Sequence, residues 1–290
     1  MKRIFKTLLI LTLAVAIAVS SSGCITTAQI LNIERCARRR PIMQDMLYEK
    51  YGEEFVIHEV RHEGSGGGGN GVPNFKGLFD FSDNGTYYAA CSPKANEEIL
   101  FEASIRADST GLSDGYSQAV VEYQAKKIVD EVVSKYTDDY ILYTYVSSPF
   151  KSPDIDDATW EKVENAEPFT SAEQITIESY VDKYYDTTYL VINLFFNDDI
   201  EDTKAFSEKV LDEINDKLNK LDTLALISYM DDELKKECSD YMKEKESEYD
   251  PRISISYRYD SDCTYYYSYR KNKYTDYKWE LLSSESKNNH

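Results

Sequence analysis

One short stretch of the sequence carries residues whose types and spacing could do chemistry. In VIHEVRHEG, residues 56–64, His58, Glu59 and His62 match the pattern His-Glu-x-x-His. Two imidazoles at this spacing can bind one zinc ion while the glutamate takes a proton from the metal-bound water, which is the chemistry of zinc-dependent peptide hydrolysis. The spacing suits a helix, in which residues four apart have Cβ atoms ~5–6 Å apart. On a strand they stand about 13 Å apart, which is too far for one ion.

The residues around this pattern favour a strand. Three β-branched residues lie between Gly52 and a segment, residues 64–71, that holds six glycines. β-Branched residues bounded by such breakers are typical of strands. We therefore predict a strand over residues 55–62, whose polar face carries the two histidines, and no metal site. The rival hypothesis is that the stretch is helical and that His58 and His62 bind zinc, with Glu59 as the general base.

A third metal ligand is not obvious from the sequence. The remaining histidine, His290, is the last residue of the chain. Pairs spaced as Glu-x-x-x-Asp could supply a carboxylate ligand, and they occur at Glu178 with Asp182 and at Glu208 with Asp212. Because the chain has 52 acidic residues, such pairs are expected by chance. The sequence therefore favours a protein without a catalytic centre and without a cofactor.

The N-terminus has the layout of a secretion signal. Lys2, Arg3 and Lys6 precede an uncharged run of 13 residues from Thr7 to Val19, which small residues follow. A membrane-spanning helix needs about 20 apolar residues, so this run is too short for a permanent anchor. We predict that residues 1–23 form a signal peptide that is removed.

The end of this signal, Ser21-Ser22-Gly23-Cys24, resembles the lipobox of bacterial lipoproteins. The resemblance implies cleavage before Cys24 and attachment of a diacylglycerol to the Cys24 thiol. The lipobox prefers Leu, Val or Ile where this chain has Ser21, so cleavage without lipid is the alternative. The whole layout is similar to that of surface lipoproteins of Gram-positive bacteria, which implies a lipid-anchored location on the extracytoplasmic face of the cell membrane.

The net charge limits the class of partner. The chain carries −19, and loss of residues 1–23 with their three basic residues gives −19 − 3 = −22. Nucleic-acid binding requires concentrated Lys and Arg, so nucleic acid is not expected as a partner. The expected partners are the membrane, through the lipid anchor, and a cell-wall or protein ligand.

The cysteines after Cys24 are too widely spaced for a thiolate metal site. They contain no Cys-x-x-Cys pair, and an extracytoplasmic location permits disulfides. Four cysteines allow three pairings, of which we expect Cys238 with Cys263. The four are Cys36, Cys91, Cys238 and Cys263.

The apolar pattern predicts an α+β fold. The first half indicates an antiparallel sheet with helices, and the second half alternates helices with strands, which favours some parallel pairing. Three prolines between residues 149 and 168 mark a boundary. The predicted parts are a membrane tether (24–41), an α+β lobe (42–148), a linker (149–168), an α/β lobe (169–281) and a disordered tail (282–290).

A row of tyrosines near the C-terminus is a candidate binding surface. Tyr265, Tyr267 and Tyr269 alternate along the chain and would share one face of a strand. Aromatic rings beside cations could stack on sugars or on a protein, whereas the structural alternative is a half-buried sheet surface. We predict a lipid-anchored surface protein that functions in binding or envelope structure. The alternatives are a membrane-tethered zinc peptidase and a substrate-binding lipoprotein whose two lobes close on a ligand.

Overall fold

The predicted α+β class is confirmed. The computed structural model describes residues 32–63, 85–147, 149, 155–184, 187–218, 221–247, 263–271 and 278–286. These residues form six α-helices and nine strands, and the strands are arranged in two sheets. The predicted signal peptide, residues 1–23, and Cys24 lie outside the described residues.

The first sheet is antiparallel and has four strands in the order β1-β2-β3-β4. The strands are β1 (Phe55–Glu63), β2 (Thr86–Pro93), β3 (Phe101–Arg106) and β4 (Ser113–Asp114). Alternate residues of β3, namely Phe101, Ala103 and Ile105, are buried. This alternation is expected for a sheet with one face covered by helices.

Helix α1, residues 32–51, packs on this sheet. Met43, Leu47 and Tyr51 recur at four-residue steps and are buried, so they form the apolar face of the helix. Gly52 ends the helix with a φ of +74°, a backbone conformation that side-chain-bearing residues rarely adopt. The helix therefore ends at the glycine that precedes β1.

The first turns of α1 lie within the predicted tether, residues 24–41. Residues 32–41 are helical and attached to the sheet. Arg39 donates to the Ser109 hydroxyl at 2.9 Å, and its guanidinium lies 5.2 Å from the centroid of the Tyr87 ring. The tether prediction missed these contacts because a sequence does not show that Arg39 reaches a residue 70 positions away.

The second sheet has five strands in the order β5-β6-β7-β8-β9. They are β5 (Tyr140–Val146), β6 (Leu190–Asn197), β7 (Thr223–Met230), β8 (Tyr265–Lys271) and β9 (Glu280–Ser286). Strands β6 and β7 are parallel, and helix α5 (Thr203–Lys217) makes the crossover between them. The predicted parallel pairing is confirmed, and the other neighbours are antiparallel.

The second sheet is covered by helices on both faces. Helices α2 (Tyr116–Val133) and α5 pack on one face, and helix α6 (Asp232–Ser247) packs on the other. Helix α2 also contacts β3 of the first sheet and helix α4 (Ile177–Tyr184). One apolar core therefore runs from the first sheet through α2 into the second.

Several elements lie outside the parts predicted for them. Strand β5, predicted within the first lobe, pairs with β6 from Tyr140↔Phe196 to Val146↔Leu190. Helix α3 (Asp157–Glu164) lies in the predicted linker, and β9 continues into the predicted tail. Strand pairing across long stretches of chain decides these boundaries, and local composition does not reveal it.

A buried carboxylate joins α1 to the start of α2. The Asp114 side chain is 0% exposed and accepts hydrogen bonds from Lys50 Nζ at 2.8 Å and Tyr51 Oη at 2.7 Å. It also accepts from the backbone N–H of Tyr116 at 3.1 Å. The ring of Tyr116 packs edge-on against Tyr51 and Phe55. Three polar contacts and an aromatic cluster thus fix the angle between the two helices and the sheet.

Helix α2 also covers the outer edge of β5. Glu122 accepts the backbone N–H of Val146 at 2.8 Å, and Gln118 donates to the carbonyl oxygen of Val146 at 2.6 Å. The Ser147 N–H donates to the carbonyl oxygen of Tyr189, just before β6, so the Val146 groups point to the unpaired side of β5. The two α2 side chains satisfy backbone groups that an edge strand would otherwise expose.

Cys91 and Cys238 are buried free thiols. Cys238 of α6 and Cys263, just before β8, lie in the same apolar cluster with Phe195 and Met230. The pairing expected from the sequence is therefore not formed, although both of its members pack in one cluster.

Candidate functional site

The His-Glu-x-x-His stretch lies in strand β1, so the strand prediction is confirmed. Two histidines four strand residues apart stand about 13 Å apart, which is too far for one zinc ion. Within the described part of the chain, no group of three or more His, Cys, Asp or Glu side chains is arranged to hold a metal. This geometry argues against the zinc-peptidase hypothesis.

A β-bulge changes the predicted orientation of the histidines. The register of β1 against β2 shifts between Ile57 and Glu59, so His58 is the extra residue. His58 Nε2 lies 2.8 Å from the Ser92 hydroxyl, and His62 stacks on the ring of the buried Tyr87 with centroids 4.5 Å apart. The prediction of an exposed polar face carrying both histidines is therefore wrong, because the bulge turns His62 toward the ring of Tyr87.

A better candidate lies beside the second sheet, between α5, β8 and β9. A cavity of about 200 Å³ opens there. Its lining combines two carboxylates, two aromatic rings and two leucines. The lining residues are Glu208, Leu211, Asp212, Tyr269, Trp279 and Leu281. We refer to it as the α5–β9 pocket.

Helix α5 supplies one wall of the pocket. Its N-cap, Asp202, accepts the backbone N–H of Ala205 at 3.0 Å, which satisfies one of the free N–H groups at the helix start. Leu211 is buried, whereas Glu208 and Asp212 are exposed one turn apart. The helix therefore places an apolar side chain inside the pocket and two negative charges at its rim.

Strand β9 and the residues just before it supply the opposite wall. Trp279 Nε1 donates to the carbonyl oxygen of Leu211 at 2.7 Å, which fixes the indole against α5. A bulge between Ser268 and Tyr269 shifts the β8–β9 register and places Leu281 opposite Tyr269. The bulge leaves Leu282 as the extra residue, and Leu282 does not line the pocket.

Tyr269, which lines the pocket, has a hydroxyl without a partner. Tyr269 is 2% exposed, and its Oη has no hydrogen-bond partner among the residues that the structure describes. Neighbouring buried tyrosines differ, because Tyr267 Oη lies 2.8 Å from the Thr203 hydroxyl and Tyr229 Oη donates to the Thr203 carbonyl at 2.8 Å. Burial, followed by the charges of Glu208 and Tyr267, raises the pKa of Tyr269.

A buried lysine lies next to the pocket. Lys271 Nζ donates to Asn215 Oδ1 at 3.1 Å and to the carbonyl oxygen of Leu218, and it lies 5.4 Å from the centroid of the Trp279 ring. Burial lowers the pKa of Lys271 to about 8. Its ammonium is thus engaged with the C-terminal turn of α5, where a positive charge is favourable.

Polar groups at the carboxyl ends of β6 and β7, where many α/β proteins bind ligands, bond to one another. Asn197 Nδ2 donates to Asp139 Oδ2 at 2.6 Å, and Lys235 Nζ donates to Asn197 Oδ1 at 3.0 Å and to Asp139. Lys235 is 8% exposed. These groups satisfy each other, in contrast to the hydroxyl of Tyr269.

The tyrosine row predicted as a binding surface is mostly internal. Tyr267 and Tyr269 are buried against the core, and Tyr265 is partly buried. The row is therefore part of a half-buried sheet, as the structural alternative predicted. Tyr269 also lines the α5–β9 pocket. Trp279 and Leu281 were not predicted from the sequence. Trp279 is one of two tryptophans in the chain, and this rarity was the available signal.

The remaining site prediction, Cys24, lies outside the described residues. None of the described helices combines the length and the apolar character that crossing a membrane requires.

Comparison with known proteins identifies a distant structural similarity. No protein-family model and no curated protein sequence matches the chain. The crystal structure of a DUF5037 family protein from Ruminococcus gnavus ATCC 29149 is similar at a TM-score of 0.46 and 19% identity, over 80% of this chain and 91% of that chain. At this similarity no residue of the neighbour assigns a functional residue to this chain.

Proposed function

We propose that the chain is a lipid-anchored binding protein on the extracytoplasmic face of a bacterial membrane. In this proposal residues 1–23 direct export, Cys24 carries the lipid, and the residues from α1 onward form the binding domain. Helix α1 is in place by residue 32, eight residues after Cys24, so a domain anchored in this way would sit close to the membrane surface. A cell-wall component or a protein is the proposed class of ligand.

The observation that carries the binding function is the buried hydroxyl of Tyr269. A buried polar group without a partner costs about 1–3 kcal/mol, and this one belongs to a residue that lines a pocket with Trp279 and two carboxylates. Polar groups that converge on a pocket beside aromatic and aliphatic side chains are typical of ligand sites. A ligand that bonds to this hydroxyl would recover that cost.

The two alternative functions have less support. The zinc peptidase needs a helix at His58 and His62, where the structure has a strand. The substrate-binding lipoprotein needs two lobes that close on a cleft, whereas the two sheets share one apolar core through α2. The α5–β9 pocket instead belongs to the second sheet alone.

The anchor predicts a specific effect of Cys24→Ser. Because serine lacks the thiol that accepts the diacylglycerol, we expect the variant to lose all incorporation of a labelled fatty acid and to leave the detergent-soluble membrane fraction. The measurement is metabolic labelling followed by fractionation of cells that express the full chain. Cys36→Ser is the matched control and is expected to keep the label. Equal labelling of the Cys24→Ser variant and the unmodified chain would contradict the anchor.

Binding predicts a ligand-dependent rise of the thermal unfolding midpoint. Any ligand that binds the folded chain alone stabilises it, by ~2.7 kcal/mol when it is present at about 100 times its Kd. The full chain, purified in mild detergent, is unfolded in the presence of basic, neutral carbohydrate and acidic small molecules. We expect at least one of the three classes to raise the midpoint. An unchanged midpoint with all three would contradict the binding function.

A further inference from the structure

We propose that the α5–β9 pocket takes the positively charged side chain of a basic residue, lysine or arginine, presented by a protein or peptide. This inference rests on the proposed binding function and adds the chemical class of the ligand. It follows from the size of the pocket, its charges and the hydrogen-bonding capacity of Tyr269.

The size of the pocket fits a side chain better than a whole molecule. Its volume is about 200 Å³, which is below the ~300–1,000 Å³ of pockets that enclose a drug-sized ligand. Leu211 and Leu281 offer apolar contact for an aliphatic stem, as long basic side chains require. The charged end would then lie among the polar groups of the lining.

The rim of the pocket is negative. Asp212 has no ion-pair or hydrogen-bond partner in the described part of the chain, and Glu208 pairs with Lys204 at 3.8 Å between side chains that are 51% and 55% exposed. Such an exposed pair is weak, so it leaves Glu208 available to a second cation. Two carboxylates one helical turn apart favour an ammonium or guanidinium group and oppose an anion.

The interior of the pocket supplies the remaining contacts. Tyr269 lines the pocket and its Oη has no partner among the described residues, and a phenolic oxygen can accept a hydrogen bond from the N–H donors of a lysine or arginine. The indole of Trp279 adds an aromatic surface of the kind that attracts cations. Charge-assisted hydrogen bonds are stronger than neutral ones. A cationic ligand is therefore expected to bind this pocket more tightly than a neutral ligand of the same shape.

Two lysines of the described residues lie beside the pocket without lining it. Lys271 lies against Trp279, but its ammonium bonds to Asn215 and the Leu218 carbonyl, and Lys271 is not part of the lining. Lys204 is exposed on the helix surface. The net charge of −19 also favours the approach of basic partners over acidic ones.

The test uses Trp279 as the reporter. The chain has two tryptophans, so Trp160→Phe leaves Trp279 as the single emitter in the full-length protein. Its emission is titrated with Nα-acetyl-lysine amide, with the uncharged Nα-acetyl-norleucine amide and with N-acetylglucosamine. We expect the lysine probe to bind at least about tenfold more tightly than the norleucine probe, because only the lysine probe can form charge-assisted hydrogen bonds in the pocket. Added salt is expected to weaken the binding.

Matched variants locate the interaction. In the Trp160→Phe background, Asp212→Asn and Tyr269→Phe are each expected to weaken binding of the lysine probe about fivefold or more, because each removes one charged or polar contact. Asp216→Asn removes the same charge one turn further along α5, outside the pocket, and is expected to leave binding unchanged. Tyr269→Phe is also expected to keep or raise stability, because it removes an unpartnered buried hydroxyl.

Three results would overturn the proposal. Equal affinity for the lysine and norleucine probes would do so, as would preferential binding of N-acetylglucosamine or no response to the lysine probe. The proposed binding function survives each of them as long as some ligand class raises the thermal midpoint.

Discussion

Replacing Asp114 by alanine is expected to lower the free energy of unfolding by about 3 kcal/mol, because it removes the buried acceptor of three hydrogen bonds, and a hydrogen bond to a charged group contributes ~1.5–3 kcal/mol. The carboxylate is fully buried and accepts from Lys50, Tyr51 and the backbone of Tyr116. Its loss also leaves the Tyr51 hydroxyl without this partner between α1 and α2. The measurement is urea-induced unfolding of the full chain, followed by circular dichroism.

An exposed ion pair provides the control for Asp114→Ala. Lys94 and Glu54 lie 2.7 Å apart, but both side chains are more than 60% exposed, at 67% and 63%. Exposed pairs contribute ~0–1 kcal/mol, so Lys94→Ala is expected to change stability little. If Asp114→Ala were as mild as Lys94→Ala, the buried network would not be what joins the two helices.

Replacing Glu122 by glutamine is expected to stabilise the protein by about 3 kcal/mol above pH 8, since a pKa shift of one unit corresponds to ~1.4 kcal/mol. Burial raises the pKa of Glu122 from 4.5 to about 7, against the lowering effect of the bonds from Val146 and Gln118. The folded chain therefore binds this proton more tightly than the unfolded chain does. Its contribution to stability is complete below about pH 4.5 and is lost as the pH rises through about 7.

Glutamine keeps the hydrogen bonds of Glu122 without the charge. The side-chain oxygen accepts the N–H of Val146 and an N–H of Gln118, and an amide oxygen can accept both. Unfolding free energies of the variant and the unmodified chain are compared between pH 4 and 9, so that titrations common to both cancel. The difference in unfolding free energy between the variant and the unmodified chain should be near zero at about pH 4 and should grow as the pH rises through about 7.

The matched control is Glu131→Gln on the same helix. Glu131 is exposed, and its hydrogen bond and charge interaction with Lys217 lower its pKa. Neutralising it is therefore expected to give no gain at high pH. A constant difference between Glu122→Gln and the unmodified chain at all pH values would contradict a raised pKa of Glu122.

The sequence was informative where local pattern decides structure. Glycine breakers and β-branched residues around His58 predicted a strand, and strand geometry alone separates the two histidines too far for one metal ion. The alternation of helices with strands in the second half predicted some parallel pairing, which β6 and β7 show. In both cases the informative pattern is read from consecutive residues along the chain.

The pocket could not be predicted in this way because its residues come from distant parts of the chain. Glu208 and Asp212 were noticed as a carboxylate pair, but only as metal ligands, and the structure places them on α5, opposite Trp279 and Leu281. Strand β9 was assigned to a tail because its serines and glutamates resemble a disordered end. The bulges at His58 and Tyr269 depend on strand register, which the alternation of residues does not specify.

The most direct test of the proposed binding function is to fill the pocket. Leu281 lines it and Leu282, the next residue, does not, so Leu281→Trp and Leu282→Trp add the same bulk at adjacent positions. The measurement is the thermal midpoint of each full-length variant with the ligand that most raises the midpoint of the unmodified chain. We predict that Leu281→Trp abolishes the ligand-dependent rise and that Leu282→Trp keeps it. An equal rise in both variants would show that the ligand binds elsewhere and would contradict the assignment of the α5–β9 pocket.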